Sequence, residues 1–169
     1  MASGAQNRTR QRTLAATAAP DPLDEVDRAI IRVLQRDGRT SNTEIGRALE
    51  LSETTIRKRI ARLIAEELIN VVAVPTPLAV GMTTSVIIGI SVRLGELQRV
   101  SDWLVQYPAI RYVGLSTGRY DLMIEAFFTD NEHLLSFVAN ELGSDPAVRQ
   151  VETSLILKVA KFSYEWEIP

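Results

Sequence analysis

The sequence contains no cysteine and a single histidine among its 169 residues. Without thiols there are no disulfides, no thiolate metal sites and no cysteine nucleophile. Such a chain suits a reducing compartment, and a cytoplasmic location is the expectation. There is no phosphate-cradling glycine loop, no dinucleotide fingerprint and no His/carboxylate spacing for a metal. Neither a metal nor a cofactor is therefore expected. The one histidine, His133, falls in the first turn of an expected helix among ordinary helix residues. It reads as a surface or capping residue rather than a general base, and the chain does not read as an enzyme. No apolar run approaches the roughly 20 residues of a membrane-spanning helix. An overall basic excess is missing too, since the formal net charge is −2. Residues 1–22 carry +2, residues 23–70 are neutral and residues 71–169 carry −4. Any contact with nucleic acid must therefore come from the N-terminal part.

What is present begins with 46% hydrophobic residues, enough for one mid-sized domain or two small ones. Residues 1–22 hold almost no large apolar side chain and read as a disordered basic arm. Its Arg8, Arg10 and Arg12 are candidates for phosphate contact. From Leu23 the pattern turns helical. Asp24, Glu25 and Asp27 crowd a first turn, where solvent and the helix dipole favour them. Val26, Ile30, Val33 and Leu34 follow at helical spacing up to Asp37-Gly38. Ser41-Asn42-Thr43-Glu44 has the form of a capping box, and Ser52 is set to cap a further helix. On that third helix Ile56, Ile60, Leu63 and Ile64 fall on one side, with Thr54, Lys58, Ala61, Arg62 and Ala65 on the other. One apolar side and one side of basic, hydroxyl and small residues suit a helix packed on its own domain and laid into a DNA major groove. The same pattern also fits an ordinary surface helix with a solvated basic face.

Residues 23–70 thus read as a helix-turn-helix domain. Val71-Val72-Ala73-Val74 reads as a hinge strand stopped by Pro75 and Pro77, within a linker that runs to residue 82. From residue 83 the period becomes two: Thr84, Val86, Ile88, Ile90 and Val92 define one apolar strand face. Leu97 to Tyr107 is helical, Ile110–Thr117 and Asp121–Thr129 form a hairpin through Gly118-Arg119-Tyr120, and Leu134, Leu135, Val138 and Leu142 mark another helix. Val148 to Phe162 reads as a long last strand. The order βαββαβ predicts an α+β ferredoxin-like sandwich over residues 83–162. In the tail, 163–169, Tyr164, Trp166 and Ile168 continue the alternation of Phe162, which suggests burial against a neighbouring subunit.

Leu23-Asp24-Glu25-Val26-Asp27-Arg28, Leu51-Ser52, Lys58-Arg59-Ile60, Arg62-Leu63, Thr117-Gly118-Arg119-Tyr120-Asp121, Thr153-Ser154 and Leu157-Lys158 together resemble the Lrp/AsnC (feast/famine) transcriptional regulators. The resemblance spans roughly Leu23 to Lys161. It implies a winged-type helix-turn-helix, a hinge strand and a ferredoxin-like effector domain called RAM. It also implies dimers that assemble to tetramers or octamers, double-stranded DNA as partner, and an amino-acid effector. By this resemblance Ser52, Thr54, Thr55, Arg57, Lys58, Arg59 and Arg62 are the candidate DNA-binding residues. Lys58 and Arg62 are expected to face the groove, with Arg57 and Arg59 flanking it toward phosphates. Ser116, Thr117, Gly118, Arg119, Tyr120, Asp121, Thr153 and Ser154 are the candidate effector site. A glycine-containing hairpin offers amides to a carboxylate, and Asp121 can accept from an α-ammonium group. The bland reading is that Gly118 makes the turn, Tyr120 packs and Asp121 caps the hairpin. Two departures stand out. Glu50 occupies a turn position where relatives often have Gly, so a differently built turn is expected. Glu53 and Thr55 replace prolines early in the recognition helix, so no operator sequence is carried over. The alternatives are a ligand-independent architectural DNA-binding protein and a siroheme-decarboxylase-like enzyme, the latter poorly served by one histidine.

Overall fold

The computed structural model describes residues 22–161 and residue 163. They divide into two compact units that meet between Val74 and Pro75.

The first unit holds three helices, α1 (Glu25–Arg36), α2 (Asn42–Ala48) and α3 (Glu53–Ala65). Each starts at a side-chain cap. Asp24 accepts from the Asp27 amide at 2.8 Å, and the Asp27 carboxylate accepts in return from the Asp24 amide at 3.2 Å. Ser41 and Glu44 make the expected reciprocal box, and Ser52 Oγ accepts from the Thr55 amide at 3.1 Å. Ile30, Ile45, Ile56 and Leu63 have no exposure and join the three helices in one core. Each contributes about 1.5–3 kcal/mol by leaving water. Ile64, expected on the packed side of α3, is instead 46% exposed.

The turn after α2 departs from expectation in an informative way. Glu50 adopts φ 56°, so the left-handed position is kept although the residue is not glycine. The Leu51 amide donates to Gly46 O at 2.8 Å, closing the 6→1 bond of a Schellman motif. Glu67, at φ 59°, repeats the device after α3, with Leu68 N donating to Leu63 O at 2.8 Å. The turn is therefore built in the ordinary way from an unusual residue. Gly46 is required for a different reason: a Cβ there would lie 2.7 Å from the Leu51 carbonyl oxygen.

One sequence expectation fails here: Val71–Val74 forms no strand. A β-branched run becomes a strand only where another strand completes its hydrogen-bond ladder, and no described residue does so. Val71, Val72 and Val74 stay exposed instead.

The second unit opens with a 3₁₀ turn, Pro77–Val80, and continues β1 (Thr84–Val92), α4 (Leu97–Leu104), β2 (Ile110–Leu115), β3 (Leu122–Phe128), α5 (Asn131–Ser136), a π turn (Phe137–Leu142) and β4 (Val148–Leu155). The sheet order is β2-β3-β1-β4, and every neighbouring pair is antiparallel. This is the expected ferredoxin-like sandwich. Val86, Ile88, Ile90 and Val92 pack with Leu122, Ile124, Ala126 and Phe128 against α4 and the π turn. The last strand ends earlier than its alternation suggests. Its ladder stops at Leu155 opposite Val86, with one more bond from Ile156 N to Ser85 O. Beyond that point only Thr84 of β1 remains, and Leu157 does not pair with it. The expectations for residues 1–21, and for Phe162, Tyr164, Trp166 and Ile168, lie outside the described residues.

Candidate nucleic-acid interface and effector site

The capping of α3 at Ser52 and the burial of Ile56 and Leu63 fix which of its sides is free. Thr54, Arg57, Lys58, Ala61 and Ala65 are exposed. At about 100° per residue they form one stripe within roughly 60° of Thr54. Thr54 and Lys58 stand where expected. Arg57, expected on a flank, belongs to the stripe itself and makes only a 4.0 Å approach to the exposed Glu53. Ser52 lies at the head of the stripe, and its hydroxyl is 2.8 Å from that of the half-buried Thr55. Both hydroxyls are thus engaged in closing the first turn.

Arg59 and Arg62 do not join the stripe. Arg62 sits about 80° round the axis from Thr54, and Arg59 further still. Both turn to the N-terminus of α1. Arg59 Nη1 donates to Asp24 at 2.5 Å and to Asp27 at 2.9 Å. Arg62 donates to Asp27 through Nη2 and to Glu66 at 3.2 Å through Nη1. Asp27 is only 1% exposed, so its carboxylate depends on these partners and on the Asp24 amide. The Arg59 guanidinium, hydrogen-bonded to Asp24, holds that carboxyl below its ordinary value of 3.8. Arg62, expected in the groove, and Arg59, expected at phosphate, are thus both engaged in an ionic clamp between α1 and α3. Solvent and the helix dipole thus do not account for the acids of α1 by themselves. The available signal was the shared three-residue spacing of Asp24/Asp27 and Arg59/Arg62, one helical turn each.

In the second unit the six-residue turn from Ser116 to Asp121 is closed by Ser116 N donating to Asp121 O at 2.9 Å. Gly118 N donates to Ser116 Oγ at 3.2 Å, and Thr117 is exposed. The Asp121 carboxylate accepts from Val92 N at 2.8 Å, which ties the turn to the end of β1. The Tyr120 ring lies on Gly89, where a Cβ would come within 2.4 Å of it. Its hydroxyl is buried without a hydrogen-bond partner of good geometry. The Glu152 carboxylate, together with burial, raises the Tyr120 pKa above its ordinary value. Arg119 stands 5.2 Å over the Tyr120 ring and reaches Glu152 at 3.0 Å.

The turn thus meets β4 at Glu152, a residue sequence reasoning missed. Thr153 pairs with Ile88 and Ser154 with Ile87, so the two project to opposite faces of the sheet. Ser154 shares the face of Glu152 and Gly89, and Thr153 does not. Asp121 also borders a cleft of about 510 Å³ lined by Ser91, Arg93, Gly95, Arg149 and Gln150. Among the described residues no His/Asp/Glu cluster could hold a metal, and no helix is long and apolar enough to cross a membrane.

A three-helix unit with a basic stripe, followed by a four-stranded ferredoxin-like unit, defines a helix-turn-helix regulator with an appended ligand-binding domain. Comparison with known proteins bears this out: residues 23–64 match the AsnC-type helix-turn-helix domain, and residues 85–166 match the Lrp/AsnC ligand binding domain. The chain is 36% identical over 147 residues to the HTH-type transcriptional regulator FL11 of Pyrococcus abyssi, covering 86% of this chain and 97% of that protein. It is 31% identical to the HTH-type transcriptional regulator LrpA of Pyrococcus horikoshii, over 82% of this chain and 99% of that one. Its fold is similar to a Neisseria meningitidis transcriptional regulator solved with L-Met, with TM-score 0.78 and 27% identity over 86% and 96% of the two chains. The protein belongs to the Lrp/AsnC family of transcriptional regulators.

Proposed function

We propose that the Ser52–Ala65 segment is the recognition element, entering the DNA major groove with Thr54, Arg57, Lys58 and Ala61 leading. The observation that carries this reading is the exposed stripe on α3, in which two cations and a hydroxyl flank small residues. Ala61 and Ala65 keep the centre of that surface low, so that a base-pair edge can approach the backbone. A dimer presents two such helices to a pseudo-palindromic site. The protein acts in the cytoplasm, as a homo-oligomer.

The effector is an amino acid held at the Ser116–Asp121 turn. The amides of Thr117 and Arg119 serve its carboxylate, and Asp121 accepts from its ammonium group. The relative solved with L-Met supports this ligand class. Asp121 is already tethered to Val92 N, which supports a route from ligand to sheet. A gel-shift titration on the DNA upstream of the protein's own gene, with and without pooled amino acids, tests both parts. Asp121→Ala is expected to keep DNA binding and lose the amino-acid response. Unchanged ligand affinity of that variant in calorimetry would move the site elsewhere.

A further inference from the structure

We propose that Asp27, assisted by Asp24, is a specificity-setting residue: it holds Arg59 and Arg62 off the phosphate backbone, so that the DNA surface of α3 is limited to Thr54, Arg57, Lys58 and Ala61. The proposal rests on the reading of α3 as the DNA-contacting helix.

Four observations carry it. Arg59 and Arg62 sit one turn apart on α3, and Asp24 and Asp27 one turn apart at the start of α1, so the two pairs match in spacing. Asp27 is 1% exposed and its carboxylate is bonded to both arginines. Its burial shields the pair from salt, unlike an exposed pair such as Arg57–Glu53. Finally, Arg59 and Arg62 are only 29% and 39% exposed, and a cleft of about 530 Å³ opens beside them between Lys58 and Pro22. A released guanidinium would have space to swing toward a bound duplex.

The consequence is chemical. Phosphate contacts are indifferent to sequence, whereas base-edge contacts discriminate. Each additional arginine on phosphate strengthens binding to every duplex alike. An internal carboxylate that competes for those arginines therefore lowers non-specific affinity while leaving the groove contacts in place. Asp27 acts through the arginines and touches no DNA itself.

The test uses the full chain and fluorescence anisotropy on two probes: a random-sequence 30-base-pair duplex, and a duplex enriched by this protein from a randomised pool. Each phosphate contact adds about 0.9 to the slope of log Kd against log salt. Asp27→Asn and Asp24→Asn should each steepen that slope by about 0.9 or more on the random duplex. They should tighten random-duplex binding about five- to tenfold at 0.1 M salt, and so narrow the gap between the probes. Arg59→Gln should leave the slope of the parent chain unchanged. Asp24→Asn keeps a capping side chain and a half-exposed site, so it serves even if Asp27→Asn unfolds on circular dichroism. A loss confined to thermal stability, with the slope unmoved in the folded aspartate variant, would make the clamp merely structural and overturn the proposal. So would a slope flattened by about 0.9 in Arg59→Gln, because that arginine would already be on phosphate. Arg57→Gln and Lys58→Gln report on the underlying reading: if neither flattens the slope, α3 is not the DNA-contacting helix.

Discussion

At the scale of single residues, the structure groups the arginines of α3 differently from the sequence reading, which set Arg62 in the groove and Arg57 and Arg59 on its flanks. Arg57, Arg59 and Arg62 lie within six positions, and their places round the helix axis and their partners distinguish them. An arginine is long enough to be drawn across a helix flank by a buried acid, so angular position alone could not place Arg62. Glu50 and Glu67 carry a different message, since both hold left-handed backbone that suits glycine. Glu50→Gly removes that strain but loosens the unfolded chain, and the balance should stabilise the protein by about 0.5–1 kcal/mol in urea unfolding. Unchanged or lower stability would mean that the Glu50 side chain supplies a compensating contact. Gly89 makes the opposite case. Its Cβ would meet the Tyr120 ring, so Gly89→Ala should cost about 1–3 kcal/mol. Adding Tyr120→Ala should return part of that loss, because the two sites share one contact. Strictly additive losses in the double variant would show that the ring does not rest there.

Among the elements, those whose ends carry their own chemistry were the most legible. Ser41-Asn42-Thr43-Glu44 and Ser52 marked the starts of α2 and α3, because a cap is a local interaction between neighbouring residues. Alternation gave the buried face of β1 for the same reason. The hinge strand and the long β4 were misjudged because strand pairing depends on a partner distant in sequence. The π turn at Phe137–Leu142 left no local sign either; it places Phe137 against Tyr107 and Phe128, with ring centres 4.6 and 5.3 Å apart. Carboxylates in the caps and ion pairs also set the response to acid. Asp24, Glu44, Asp130 and Asp145 are all held below their ordinary values, chiefly by hydrogen bonds from Arg59, Ser41, His133 N and Arg99 respectively. A depressed carboxyl contributes stability that is complete above its unfolded-state value and is lost as pH falls through the folded one. Stability should therefore be level from pH 7 to about 5 and decline below about 4 as these groups take up protons. Helicity followed by circular dichroism checks this. A melting temperature unchanged down to about pH 2.5 would remove these carboxylates from the account.

At the level of the whole molecule, the change from helical period to period two marked the passage from helix-turn-helix to ferredoxin-like fold. The Ser116–Asp121 turn was legible as a position, but not its closure: Glu152, Gly89 and the Val92 amide reach it only through strand register. Assembly belongs to this scale too. Truncation after Lys161 removes the alternating Phe162, Tyr164, Trp166 and Ile168 and should leave a folded protein of smaller mass in light scattering. An unchanged mass would exclude the tail as an assembly element. The central claim, that the exposed stripe of α3 reads DNA, is tested most directly by one anisotropy titration. Lys58→Ala is compared with the parent chain on the duplex enriched from a randomised pool, at fixed salt. The account predicts a loss of about 1–3 kcal/mol, or roughly 5- to 150-fold in Kd. A folded Lys58→Ala protein that binds this duplex with unchanged Kd would contradict it.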